Sequence, residues 1–205
     1  MRRFVWTDQP YTLSFLSERP LRREMDVVLA LLTSGRTWSE VRGEVLEKDL
    51  FQVRRPDTAE TRLKLVRRRL SWLDDDLRSR YLSGDAEDRT ALLLCTFLAA
   101  YRLPREFVLE EVRYRWHTGQ ASLSREEITE FFQRKREQDP VMYGWDDGRL
   151  ARARQVIIRQ LCDYHLLERI GGRWNIRGVV PSDALREYLM QSGDGRAYLE
   201  FLLSD

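Results

Sequence analysis

Residues 91–101 (Ala-Leu-Leu-Leu-Cys-Thr-Phe-Leu-Ala-Ala-Tyr) contain no charge, no glycine and no proline. A helix that is apolar on every side is stable only where every side is covered, in a protein core or in a bilayer. Crossing a bilayer takes roughly 18 or more apolar residues. This run is closed earlier, by Glu87, Asp88 and Arg89 on one side and Arg102, Leu103 and Pro104 on the other. The run therefore predicts a buried central helix in a mainly α protein, with the remaining helices packed around it. Chemistry that reaches other molecules must sit on those outer elements.

The chain has 205 residues, enough for one sizeable core or two small domains that share an interface. With 42% hydrophobic and 33% charged residues it has the composition of a folded domain with a charged surface, and disorder is excluded. Cys95 and Cys162 lack the spacing of a disulfide framework or a zinc site. Arg2 and Arg3 lead into Thr7, Asp8, Gln9 and Pro10 without an apolar signal segment, so a cytoplasmic protein is expected.

Local signals divide the chain further. Phe4, Val5, Trp6 and the stretch from Tyr11 to Phe15 read as an extended arm. A first helix is predicted from Ser17, with Pro20 in its first turn and Met25, Val28, Leu29 and Leu32 inside. Thr37 and Glu40 form a capping box for a second helix that buries Trp38, Val41, Val45 and Leu46. A third helix over about 58–73 places Ala59, Leu63, Val66, Leu70 and Leu73 on one side. Three helices with short links suit a helix-turn-helix-like arrangement. Asp74, Asp75 and Asp76 open a fourth helix that Gly84 closes. After the central helix, another is expected from Pro104, burying Phe107, Val108, Val112 and Trp116. Ser124 and Glu127 form a second capping box, with Ile128, Phe131 and Phe132 inside. Pro140 to Gly144 reads as a loop, and Asp146 caps a long helix that buries Leu150, Ala153, Ile157, Leu161 and Tyr164. Two β-capable runs about Gly171 and Gly172 read as a tight hairpin. A helix, a short loop, a long helix and a small hairpin is the order of a winged helix. A helix at 182–191 and an apolar end at 197–203 complete the chain. The expected regions are a helix-turn-helix-like part (1–84), central core helices (85–120) and a winged-helix region (121–205).

Motifs of catalysis are missing. There is no phosphate-binding glycine loop, no nucleophile elbow and no zinc-protease signature. His117 and His165 fall on separate elements without Cys or carboxylate spacing. The aspartates at 74–76 and 146–147 stand at helix starts, where capping explains them better than a cation does. No enzyme, cofactor or metal is expected.

Charge is distributed unevenly. Residues 54–72 and 149–177 each carry +5, and since the whole chain is only +2 the remainder carries −8. Only three of the 35 basic residues are lysine. Arginine offers a planar fork suited to phosphates and guanine edges, although an Arg-rich codon bias would give the same composition. Arg54, Arg55, Arg62, Lys64, Arg67 and Arg68 form one candidate surface. Arg149, Arg152, Gln155, Arg159, Arg173 and Arg177 form the other, with Trp174 near the hairpin tip. Both could neutralise phosphates of duplex DNA. A winged helix also serves as a protein-docking module, and charged faces can simply be solvated. Exposure of Tyr198, Phe201 and Leu202 would point to an adaptor or a homodimer.

Several features together resemble one family. They are Lys48, Leu50, Phe51, Arg54 and Arg55 leading into Thr61–Leu70, then Ile128, Phe131, Phe132, Lys135 and Trp145, and finally Leu161, His165, Leu166 and Leu167. Their order and spacing over roughly 11–190 resemble the BrxA family of BREX bacteriophage-exclusion systems. At the position of His165 the resemblance implies a glycine. It further implies a non-enzymatic accessory protein that binds double-stranded DNA, beside a methyltransferase, an ATPase and a phosphatase-like protein. The alternative is an adaptor that docks the methyltransferase or the ATPase with little DNA contact.

Overall fold

The structure, a computed structural model, describes residues 9–204. The part of the expected arm at Phe4, Val5 and Trp6 lies outside these residues. Residues 9–12 carry no regular secondary structure, and the end of the expected arm is not extended: Ser14–Ser17 form a 3-10 turn with Phe15 fully buried.

Helices α1 (Arg22–Thr33), α2 (Trp38–Glu47) and α3 (Pro56–Leu70) pack on one another. The first helix starts later than Pro20 suggested. Glu18 is extended and its carboxylate turns inward, and Leu21 takes a left-handed conformation (φ 52°), so helical geometry cannot begin before Arg22. The capping box at Thr37 and Glu40 is formed, and Pro56 occupies the first turn of α3, where its missing N–H costs nothing. Next come α4 (Asp75–Ser83) and α5 (Ala86–Ala100), capped by the side chains of Asp74 and Asp85.

Every residue of α5 from Thr90 to Ala99 is buried, as its all-apolar sequence demands. Helices α3 and α4 and two later ones, α6 (Arg102–Phe107) and α12 (Gly195–Leu202), cover its sides. Burial of each large side chain such as Phe97 or Leu94 contributes about 1.5–3 kcal/mol, so this helix anchors the fold. The apolar C-terminal stretch belongs to the same core. Tyr198, Phe201 and Leu202 are buried, and the Tyr198 hydroxyl donates to the Trp72 carbonyl at 2.5 Å.

Helix α6 runs through a π-helical turn (Val108–Arg113) into α7 (Tyr114–His117). Trp116, expected inside, is 40% exposed. The wider π turn shifts the helical phase beyond Val112, which rotates Trp116 outward.

The remaining elements form the frame of the site. Strand β1 (Ser122–Leu123) leads into α8 (Arg125–Gln138), α9 (Pro140–Tyr143), α10 (Asp147–Asp163), β2 (Leu167–Ile170) and β3 (Arg173–Ile176), followed by α11 (Asp183–Gln191). The stretch from Pro140, expected as a loop, is a single helical turn because the Asp139 carboxylate caps it by accepting from the N–H groups of Val141 and Met142. The strands form an antiparallel sheet in the order β1-β3-β2. Gly171 and Gly172 both have positive φ (57° and 82°), the geometry of a two-residue hairpin turn matched to strand twist.

His165 stands between α10 and β2 with φ 61°. A glycine takes this left-handed conformation without strain, which explains why one suits the position. The N–H groups of His165 and Leu166 donate back to the carbonyls of Cys162 and Leu161, so the turn closes despite the Cβ.

The second capping box orients α8. Ser124 Oγ accepts from the Glu127 N–H at 3.2 Å, and the Glu127 carboxylate accepts from the Ser124 N–H at 2.6 Å. Ser124→Ala is expected to lower stability by about 1 kcal/mol, read as a shifted urea midpoint with an unchanged m-value.

Candidate functional site

The two basic segments are both at the surface, but their arginines differ in what they touch. At the start of α3 and along it, Arg54, Arg55 and Lys64 are exposed and, among the described residues, make no ion pair. Arg67 stacks over Trp38, with the guanidinium carbon 5.4 Å from the ring centroid. Arg68 lies over Tyr101 and donates to Ser14 Oγ at 2.7 Å. Arg62 is turned away from solvent and pairs with Glu24 at 2.5 Å. Arg69, the third of three consecutive arginines, is fully buried.

The second segment divides in the same manner. Arg177 pairs with Glu168 at 2.5 Å, Arg149 lies 3.4 Å from Asp146, and Arg173 lies 3.6 Å from Glu127 while donating to Ser122 Oγ. These three are partly neutralised by carboxylates. Arg152 and Arg159 make no such close pair among the described residues, although Arg159 attracts the Asp163 carboxylate one turn on. Arg152 donates to Gln155 Oε1 at 3.1 Å, and Arg159 to the Glu18 carbonyl at 3.3 Å.

Arg152, Gln155 and Arg159 line a groove of about 830 Å³ between the exposed face of α10, the start of α8 and the hairpin. The residues of α10 that face it run from Gly148 to Cys162, which makes the groove about 21 Å long. Arg125 comes from the first turn of α8, Arg154 from the flank of α10, and Arg169 and Trp174 from the hairpin. Its lining contains five guanidinium groups and no Asp or Glu. Among the described residues none of the five lies within 4.0 Å of a carboxylate, whereas arginines elsewhere are repeatedly ion-paired. Ile128, Ala151 and Ile158 form an apolar floor. Cys162 joins that floor as a neutral thiol, since burial and then Asp163 raise its pKa.

Five positive charges around a low-dielectric floor attract an extended anion. Each guanidinium retains donors for charge-assisted hydrogen bonds. Of the groove arginines, Arg125, Arg154 and Arg169 were not singled out from the sequence as site residues. Arg169 was accessible in principle: period-2 alternation places it on the face of β2 shared with Leu167, and it stacks on its cross-strand partner Trp174 at 5.4 Å. Arg125 is 27 or more residues from the groove arginines of α10, and only the packing of α8 on α10 brings it in.

The two surfaces share an anchor. Arg68 holds Ser14 and Arg159 holds Glu18, four residues further along the same segment, so the end of α3 and the face of α10 flank one short connection. Among the described residues no group of three or more His, Cys, Asp or Glu side chains could hold a metal ion. The Asp74 and Asp146 carboxylates cap helices, accepting from the N–H groups of Leu77 and Arg149.

Fold and groove together define a mainly helical protein that presents an arginine-rich helix beside a short hairpin. The chain belongs to the BrxA family of BREX phage-defence systems, whose profile matches residues 9–193. It is 27% identical over 198 residues to a BREX protein BrxA of Bacillus cereus strain H3081.97, covering 97% of this chain and 98% of that protein. A crystal structure of an uncharacterized protein from Magnetospirillum magneticum has the same fold, with a TM-score of 0.77 at 17% identity over 95% of this chain and 98% of that one. Among the described residues no helix is long and apolar enough to cross a membrane.

Proposed function

We propose that this protein is a non-enzymatic, cytoplasmic accessory of phage defence that binds double-stranded DNA, mainly through phosphates. The element order β1-α8-α9-α10-β2-β3 and the sheet order β1-β3-β2 support reading residues 122–176, within the region 121–205, as a winged helix. On this reading α10 faces the major groove, and the hairpin runs along the backbone. The observation that carries the reading is the groove itself: five guanidinium groups and no carboxylate along about four turns of α10. The α1–α3 unit supplies a second contact through Arg54, Arg55, Lys64, Arg67 and Arg68, flanking the same segment. A docking adaptor for the methyltransferase or the ATPase is the weaker reading, because the apolar tail that would have served it is covered.

Fluorescence anisotropy with a labelled duplex of roughly 30 base pairs, titrated with salt, tests this proposal. Four or five phosphate contacts in the groove alone give a log–log slope of about −3.6 to −4.5, and contacts from the α1–α3 surface steepen it further. Absence of binding at low ionic strength would overturn the proposal, and pull-downs with the defence-system methyltransferase and ATPase would follow.

A further inference from the structure

The hydrogen-bonding sense of the groove is one-sided. Its polar side chains are Arg125, Arg152, Arg154, Gln155, Arg159 and Arg169. Five of these can only donate. Gln155 alone carries an acceptor, and that oxygen already accepts from Arg152 Nη1 at 3.1 Å. The Gln155 amide N–H₂ and the remaining Arg152 N–H groups therefore face the groove as donors, over the apolar Ala151 and Ile158. A ligand edge that fits must offer acceptors.

Resting on the reading of α10 as the helix that enters DNA, we infer that the Arg152–Gln155 pair makes this protein selective for guanine. In the major groove guanine is the base with two adjacent acceptors, N7 and O6. Adenine and cytosine each present an amino donor, and the one side-chain amide acceptor in the groove, Gln155 Oε1, is already engaged by Arg152. A glutamine with a free oxygen would pair with adenine N6 and N7. The bond from Arg152 takes up one of that oxygen's two lone pairs and sets a guanidinium beside it, so the edge the pair presents is dominated by donors. The two residues are one turn apart on the exposed face of α10, so they span neighbouring base pairs.

The test is selection from a randomised duplex library, followed by competition anisotropy on the preferred sequence. Selected duplexes should hold a fixed guanine. Replacing that guanine by adenine, or by 7-deazaguanine, which lacks the N7 acceptor, should weaken binding roughly tenfold. Gln155→Glu puts an acceptor into the array and should move the preference towards cytosine, whose N4 amino group donates. The quantity read is the affinity ratio between duplexes, which is insensitive to the change in net charge. Steep salt dependence with no base preference overturns the inference and leaves the proposed function standing. No binding to any duplex overturns both.

Discussion

Replacing Arg125, Arg152 and Arg169 together by glutamate is expected to abolish most duplex binding, with a loss on the order of a thousandfold at about 0.1 M salt. Each guanidinium offers a charge-assisted hydrogen bond worth about 1.5–3 kcal/mol when made to an ionised partner, and three such contacts account for a loss of this size. The log–log salt slope should become shallower by about 1.8, which is 0.9 for each of the phosphate contacts made by Arg125 and Arg169, Arg152 being directed at a base. The folded state should tolerate the change, because none of the three side chains is buried and none makes an internal ion pair. A matched reversal of the exposed Arg23, Arg186 and Arg196, outside the groove, controls for net charge. If both variants lost affinity in proportion to charge alone, the groove would not be the binding surface.

The largest expected effect on stability comes from a residue that the basic run conceals. Arg69 and Glu18 form an ion pair at 2.6 Å with both side chains fully buried. Arg69 Nη1 also donates to the Tyr164 hydroxyl at 2.6 Å, and its guanidinium lies 5.3 Å from the Phe97 ring centroid. The second Glu18 oxygen accepts from the Tyr101 hydroxyl at 2.5 Å. Burial drives the Tyr164 phenol up to about 12, although Arg69 pulls it down, so at neutral pH it is a neutral partner that accepts from Arg69. Burial disfavours charge on Arg69, but Glu18 and Tyr164 outweigh it and keep the guanidinium ionised. Arg69→Met leaves the Glu18 carboxylate buried without its counter-charge, a cost of about 3–5 kcal/mol. For a chain of this size that lowers Tm by roughly 10–15 °C in a thermal melt. Glu18→Leu combined with Arg69→Met should recover most of the loss, because two apolar groups leave no charge stranded. Arg69→Met alone should also weaken DNA binding, since the Glu18 carbonyl positions Arg159 and Gln160 of α10.

Much of the architecture was legible in local sequence, because the signals act within a turn or two of helix. The charge-free run at 91–101 required burial on all sides, and α5 has it. Thr37, Asp74, Ser124 and Asp146 were readable as caps, since a cap and the N–H it accepts from are three residues apart. Gly171 and Gly172 were readable as a hairpin turn because positive φ at two successive positions favours glycine. Family membership was legible in the order and spacing of the same elements. Where local signals conflicted with longer-range ones they misled. Pro20 marked a helix start that the inward-facing Glu18 overrides, and the π turn moved Trp116 out of its expected place.

The composition of the groove was decided by the tertiary structure. Arg67, Arg68 and Arg69 are consecutive and chemically identical, yet one stacks on Trp38, one caps Ser14 and one is sealed in the core, each partner lying at least 29 residues away in sequence. The two-residue strand β1 carries too few residues to show a period, and it exists because β3 offers it an edge. Charge counting gave +5 to both basic segments. The pairing of Arg149, Arg173 and Arg177 with carboxylates, and the recruitment of Arg125 from α8, concentrated the unpaired charge on one face of α10. Sequence specified which residues carry charge, and packing specified which of those charges remain available to another molecule.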